Sequence, residues 1–193
     1  AVLALMTVVV IPATGCRSLL TAVVFIVKGT NIDADYDGLK EKKVAVVCHP
    51  MASLEYRDSQ VAKDLARQIG ELLRVNVSQI DVVSQSKVSE WTDMKGLTDF
   101  TEVGKGMEAD IVVGIELHNF TLYQGQTLYQ GKADAVVKVV DCSDGNKVVF
   151  ERKLPQLIYP PNTGIETSAM CESDFRSKLI DVLSDQIARH FYP

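Results

Sequence analysis

The rhythm of apolar and polar positions changes several times along the chain. Residues 109–117 form a nearly unbroken apolar run rich in β-branched side chains, the pattern of a strand buried on both faces. Residues 42–48 carry a similar run, closed by His49 and Pro50. Proline removes a ladder donor and so ends a strand. Between these runs the period lengthens. Val61, Ala62, Leu65, Ala66, Ile69, Leu72 and Leu73 recur at helical spacing, with Lys63, Asp64, Arg67 and Glu71 on the other side. This predicts an amphipathic helix from Asp58 or Ser59 to Arg74. Residues 80–83 predict a second strand. Residues 85–93 are polar around Val88 and Trp91, and a short helix is predicted from Asp99 to Met107, where Asp99 and Glu102 have capping-box spacing and Thr98 is the other candidate cap. Strand, helix, strand, helix, strand makes parallel neighbours with right-handed crossovers.

Beyond residue 117 the pattern turns antiparallel. Residues 133–140 and 147–151 alternate as strands around a turn that contains Asp144 and Gly145, a strong hairpin signal. Pro155, Pro160 and Pro161 interrupt regular structure, and residues 159–164 predict an exposed loop. A last helix is predicted from an N-cap at Ser173, with Phe175, Leu179, Val182, Leu183, Ile187 and Phe191 as the stripe that closes the core. The predicted fold class is therefore α/β: a mixed sheet in two or three layers, with a parallel βαβαβ half followed by antiparallel strands and a C-terminal helix. Residues 109–117 are the seam between the halves. Just after it, Thr-Leu-Tyr-Gln-Gly occurs twice, six residues apart. On one continuous strand that even period puts Tyr123 and Tyr129 on a common face; Gly125 could instead mark a bend or bulge. The two tyrosines are candidates for an interaction patch or for plain packing.

Composition bounds the rest. A chain of 193 residues, 47% hydrophobic, is enough for one good-sized core. The net charge is −5 and the pI about 5.2. No basic stripe is visible, which excludes a nucleic-acid role. Cys16, Cys48, Cys142 and Cys171 form no CxxC pair, and His49, His118 and His190 are scattered, so neither a metal nor another cofactor is expected. Neither a Gly-x-Gly-x-x-Gly nor a Walker loop follows the first strand, and the Gly104 to Gly106 stretch lacks the spacing. Ligands in open α/β sheets sit beyond the carboxyl ends of parallel strands. That rule selects His49, Gln85 and His118 as a rim ligand site, with Cys48 and Ser84 nearby. Cys48 and His49 are neighbours on a strand, so they point to opposite faces and make a poor nucleophile–base pair.

The chain opens on an apolar run, residues 1–11, too short to span a bilayer comfortably but of the length of a signal-peptide core. Ala13, Thr14, Gly15 and Cys16 follow. This tetrad resembles the lipobox of bacterial lipoproteins, although Ala13 replaces the usual larger aliphatic. The resemblance implies cleavage before Cys16 and fatty acylation of its thiol, with several acyl chains for stable anchoring. A plain secretory signal and a membrane-spanning segment that includes the second apolar run, residues 19–27, are the other readings. Residues 28–39 are turn-rich. Asp33, Asp35 and Asp37 alternate like calcium ligands but lack the central glycine and closing glutamate of an EF-hand loop, so they are expected to be a solvated linker.

The order of elements from residue 43 to 191 resembles the small α/β domains of envelope proteins, namely the TolB amino-terminal domain and CsgG-like lipoproteins. Ala109 and Asp110 open the seam strand as a small residue and an aspartate commonly do there. The relatives scaffold or assemble envelope complexes. Residues 121–131 are too short for the inserted barrel hairpins of a secretion pore, so pore function is not implied. The expected organisation is a signal peptide over residues 1–15, truncated at its start, a lipid anchor and linker over 16–41, and one α/β domain over 42–193. The expected function is that of a lipid-anchored, periplasm-facing protein of the bacterial cell envelope, acting without catalysis in assembly or protein interaction. It would meet the membrane through Cys16 and an envelope partner through its domain. The alternative is an enzyme or small-ligand binder using the rim around His49, Gln85 and His118.

Overall fold

The computed structural model describes residues 33–50, 55–97 and 99–193. Cys16, the lipobox tetrad and residues 19–27 lie outside the described residues. The strands are β1 (Lys43–Pro50), β2 (Asp81–Val82), β3 (Ile111–Gln124), β4 (Leu128–Asp141), β5 (Lys147–Lys153), β6 (Leu157–Tyr159) and β7 (Ile165–Glu166). The helices are α1 (Glu55–Asn76), α2 (Gln85–Lys95), α3 (Phe100–Met107) and α4 (Glu172–Ala188).

The strands lie in the order β2-β1-β3-β4-β5, with β6 and β7 also paired to β4. β1 is parallel to both β2 and β3, whereas β3–β4 and β4–β5 are antiparallel. The seam therefore falls on β3, where the apolar run of residues 109–117 predicts it. Successive strand residues point to opposite faces, and the sheet is covered on both. Val44, Val46, Cys48, Ile111, Val113, Ile115, Leu117, Val137 and Val139 belong to the larger core, with Leu65, Ile69, Leu73, Phe175, Leu179, Leu183 and Ile187 from α1 and α4. Ala45, Val47, Val112 and Val140 belong to a smaller one with Val88 of α2 and Val103 of α3. The three-layer alternative is the one realised.

Local chemistry explains the departures. The polar stretch after residue 84 is helical because Val88 is buried and Trp91 packs against the smaller core; two apolar anchors on one face suffice once the sheet supplies the rest. α3 is capped by Asp99, whose carboxylate accepts hydrogen bonds from Thr101 N at 3.0 Å and Thr101 Oγ1 at 2.7 Å. Those bonds hold the Asp99 carboxyl below the ordinary aspartate range. The predicted N-cap at Ser173 is not used. α4 begins two residues after Met170 with Cys171 in the N-cap position and no side-chain bond there; Glu172 and Asp174 supply negative charge in its first turn instead.

The Thr-Leu-Tyr-Gln-Gly repeat is split between two strands. Gly125, at φ +67°, turns β3 into β4, so Tyr123 and Tyr129 face each other as a cross-strand pair. Gly131, the second glycine of the repeat, has a different role: a Cβ there would stand 2.5 Å from Leu179 Cδ2, which lets α4 approach the sheet closely.

Candidate functional site

β1 ends beside the middle of β3, with His49 opposite Glu116 in the register. One strand further, Lys138 on β4 pairs with Glu151 on β5. Glu116 lies opposite Val136 on β4 and Lys138 reaches it diagonally, so His49, Glu116, Lys138 and Glu151 form a slanting polar row across four strands. Lys138 Nζ donates to Glu116 Oε1 at 2.7 Å and lies 3.9 Å from Glu151 Oε1. His118 Nε2 stands 3.8 Å from Glu116 Oε2. The bond to Glu116 raises the Lys138 pKa and keeps its ammonium charged.

A cleft of about 360 Å³ opens over this row. Its floor is His49, Glu116 and Lys138, and its wall is the start of α3 with Asp99, Phe100 and Thr101. The position follows from topology, because the short α3 leaves the carboxyl end of β1 and the adjoining middle of the seam strand uncovered. His49 lines the cleft opposite Glu116, and His118, which is not part of the cleft lining, approaches the other side-chain oxygen of Glu116. Gln85 does not join them: it lines a separate depression with Arg67, Glu71, Arg74 and Ser84. Gln85 follows a two-residue strand and already belongs to α2, so it leaves the sheet before reaching the level of His49.

The chemistry open to the cleft is limited by its own pairing. A lysine bonded to a glutamate and held cationic is a poor nucleophile or base. Cys48 is buried on the opposite face of the sheet, among the larger core, and its burial pushes its thiol pKa strongly up. It is not available to His49. Among the described residues, no group of three or more His, Cys, Asp or Glu side chains is placed to hold a metal ion. Lys138 and Glu151 were not among the residues the sequence points to. The only trace of Lys138 in the sequence is that, with Asp134, it is one of two charges inside the apolar alternation of residues 133–140.

The second candidate patch lies at the hairpin end. Tyr129 is only 4% exposed and stacks on Phe175 at 4.9 Å between ring centroids. Tyr123, 42% exposed, lies 5.1 Å from Tyr129 between centroids and donates its hydroxyl proton to Glu172 Oε2 at 2.5 Å. That bond to a carboxylate raises the Tyr123 pKa. Arg176 bonds Glu172 from the other side. The surface offered to solvent is thus Tyr123 with Glu172 and Arg176, and Tyr129 supports it from below.

No family model matches the chain, and no curated protein matches it. Among solved structures, the PelC dodecamer from Paraburkholderia phytofirmans aligns with a TM-score of 0.46 and 10% identity, over 83% of this chain and 94% of that one. Lipoprotein GNA1162 from Neisseria meningitidis aligns with a TM-score of 0.43 and 15% identity, over 76% of this chain and 97% of that one. A minor lipoprotein from Acinetobacter baumannii gives 0.35 and 19%, over 77% and 91%. None of these similarities assigns a family, and no residue role is transferred from them. No helix among the described residues is long and apolar enough to cross a membrane.

Proposed function

We propose that this chain is a lipid-anchored protein of the bacterial cell envelope, facing the periplasm, whose α/β body acts in assembly or protein contact rather than in catalysis. The anchor is Cys16, and its support is the tetrad Ala13, Thr14, Gly15 and Cys16 at the end of an apolar run. A thiol at that place lies near the membrane surface, where two or more acyl chains hold it stably.

One observation carries the non-catalytic part. In the cleft at the strand ends, the ionisable groups are spent on each other: Lys138 bonds Glu116 at 2.7 Å, and the neighbouring thiol of Cys48 faces the other side of the sheet. A catalytic site needs groups converging on a common reacting atom, and here they converge on one another. Contact with a partner is assigned to the hairpin surface of Tyr123, a half-exposed aromatic with a polar tip of the kind enriched at interfaces.

Mass spectrometry of the mature amino terminus from native cells tests the anchor. A diacylglyceryl or triacyl mass on Cys16 is expected, and an intact residue 1–15 segment or an unmodified Cys16 thiol would reject it. Tyr123→Ala tests the contact surface: unchanged capture of the native envelope partner by the folded variant would remove the patch from the interface.

A further inference from the structure

The two long strands of the hairpin are treated unequally. β4 is paired along both sides for most of its length: β3 lies on one side, and on the other β5 covers residues 136–141, β6 covers 131–133 and β7 covers 128–129. β3 is paired by β1 only as far as Leu117, opposite Pro50. From Asn119 to Gln124 no strand among the described residues lies on its outer side. A bulge between Leu117 and Asn119 falls where the pairing with β1 stops, as bulges commonly do.

An open edge exposes a row of backbone donors and acceptors, and proteins usually blunt it with brevity or charge. The other two edges follow that rule. β2 has two residues, and β5 carries Lys147, Glu151, Arg152 and Lys153. Residues 119–124, Asn, Phe, Thr, Leu, Tyr and Gln, contain no formal charge; only the register shifts with β4 at Leu117/Asn119 and at Thr121/Tyr123 modulate this edge. An uncharged edge beside a two-residue one and a charged one is the edge open to an added strand.

We propose that residues 119–124 of β3 pair antiparallel with the same edge of a second copy of this chain, about a two-fold axis at Thr121. The choice of a second copy rests on self-complementarity. Centring on Thr121 sets the exposed Thr121 against itself and Phe120 against Leu122 of the other copy, and both of the latter belong to the larger core face. Threonine–threonine and aromatic–aliphatic pairs are favourable cross-strand neighbours, and no like charges meet. A two-fold contact is closed, so it gives a dimer and not a filament. This inference concerns the bare β3 edge and stands independently of the acylation of Cys16.

The test uses a charge swap at the axis. Full-length Thr121→Lys and Thr121→Glu chains are examined by sedimentation velocity over a wide concentration range, in a large excess of non-ionic detergent micelles. Thr121 is exposed, and circular dichroism checks that both variants remain folded. The wild type is expected to dimerise. Each variant alone should dimerise about tenfold or more weakly, because like charges face each other across the axis. An equimolar mixture of the two should recover the dimer. Hydrogen exchange at residues 119–124 should slow as the wild type is concentrated. A wild type that stays monomeric, with those amides already protected by its own chain, overturns the proposal. So does a dimer that both charged variants retain.

Discussion

Replacing Gly131 by alanine isolates the contact between the sheet and α4. The backbone at Gly131 lies outside the left-handed region, so alanine meets no torsional penalty there. The obstacle is spatial. A Cβ would stand 2.5 Å from Leu179 Cδ2 and 2.9 Å from Cδ1, and Leu179 is fully buried at 0% exposure, leaving it no solvent to swing into. Overpacking of this kind costs about 1–3 kcal/mol, and the fixed neighbour argues for the upper half of that range. Restricting the unfolded chain returns about 0.4–1 kcal/mol. The expected net loss is about 1.5–2 kcal/mol, read as a lower urea midpoint at unchanged slope. Leu179→Ala alone should cost about 2–5 kcal/mol through the cavity it leaves. In that background the Gly131→Ala methyl enters vacated space and should be neutral or stabilising, so the double-mutant cycle should show a coupling of about 1.5–2.5 kcal/mol. Equal cost in both backgrounds would refute the argument and place the effect in the backbone.

Asp99→Ala removes the α3 cap and should cost about 1 kcal/mol near neutral pH. Because the folded Asp99 pKa is lowered, its contribution is complete above the unfolded aspartate value of about 3.9 and is lost as pH falls through the folded value; urea titrations of wild type and variant should therefore converge in acid. Phe175→Ala removes a fully buried ring that stacks on Tyr129 and Tyr159, and should cost about 3–5 kcal/mol by chemical denaturation. Among the described cysteines, peptide-mapped alkylation should label exposed Cys171 first. Cys48, buried with its thiol held protonated, should react only on unfolding; early labelling of Cys48 would contradict its place in the core.

β1 and the first half of β3 were legible because they are buried on both faces and so read as continuous apolar runs, and α1 because its stripe is long. α2 was harder: two apolar anchors, Val88 and Trp91, do not make a periodicity, and its helical state depends on the sheet it covers. The N-cap of α4 was misread because a serine three residues into a polar stretch resembles a cap, whereas the first-turn acids of α4 provide the terminal charge. The candidate site was half legible. Of the rim residues, His49 lies at the end of β1, opposite Glu116, whereas His118 lies within β3, 3.8 Å from Glu116 Oε2. The carboxyl-end rule grouped Gln85 with them because sequence does not reveal that β2 is only two residues long. It missed Lys138 because the partner of that lysine, Glu116, is fixed by antiparallel register across a hairpin whose turn sits at Gly125. The repeat around Tyr123 and Tyr129 does put the two rings on one face, but as a cross-strand pair across the turn at Gly125, the bend the sequence offered as an alternative, and not along one strand.

The 14 residues of β3 also set a distance. Asp33 gathers with the trailing ends of α1 and α4, near Asn76 and Phe191, at the base where β1 and β3 begin. The Gly125 turn is at the far end of the arm, about 45 Å from Ile111, where the strand begins, at the usual rise per strand residue. A contact made at Tyr123 is therefore separated by most of that strand's length from any contact made where β1 and β3 begin.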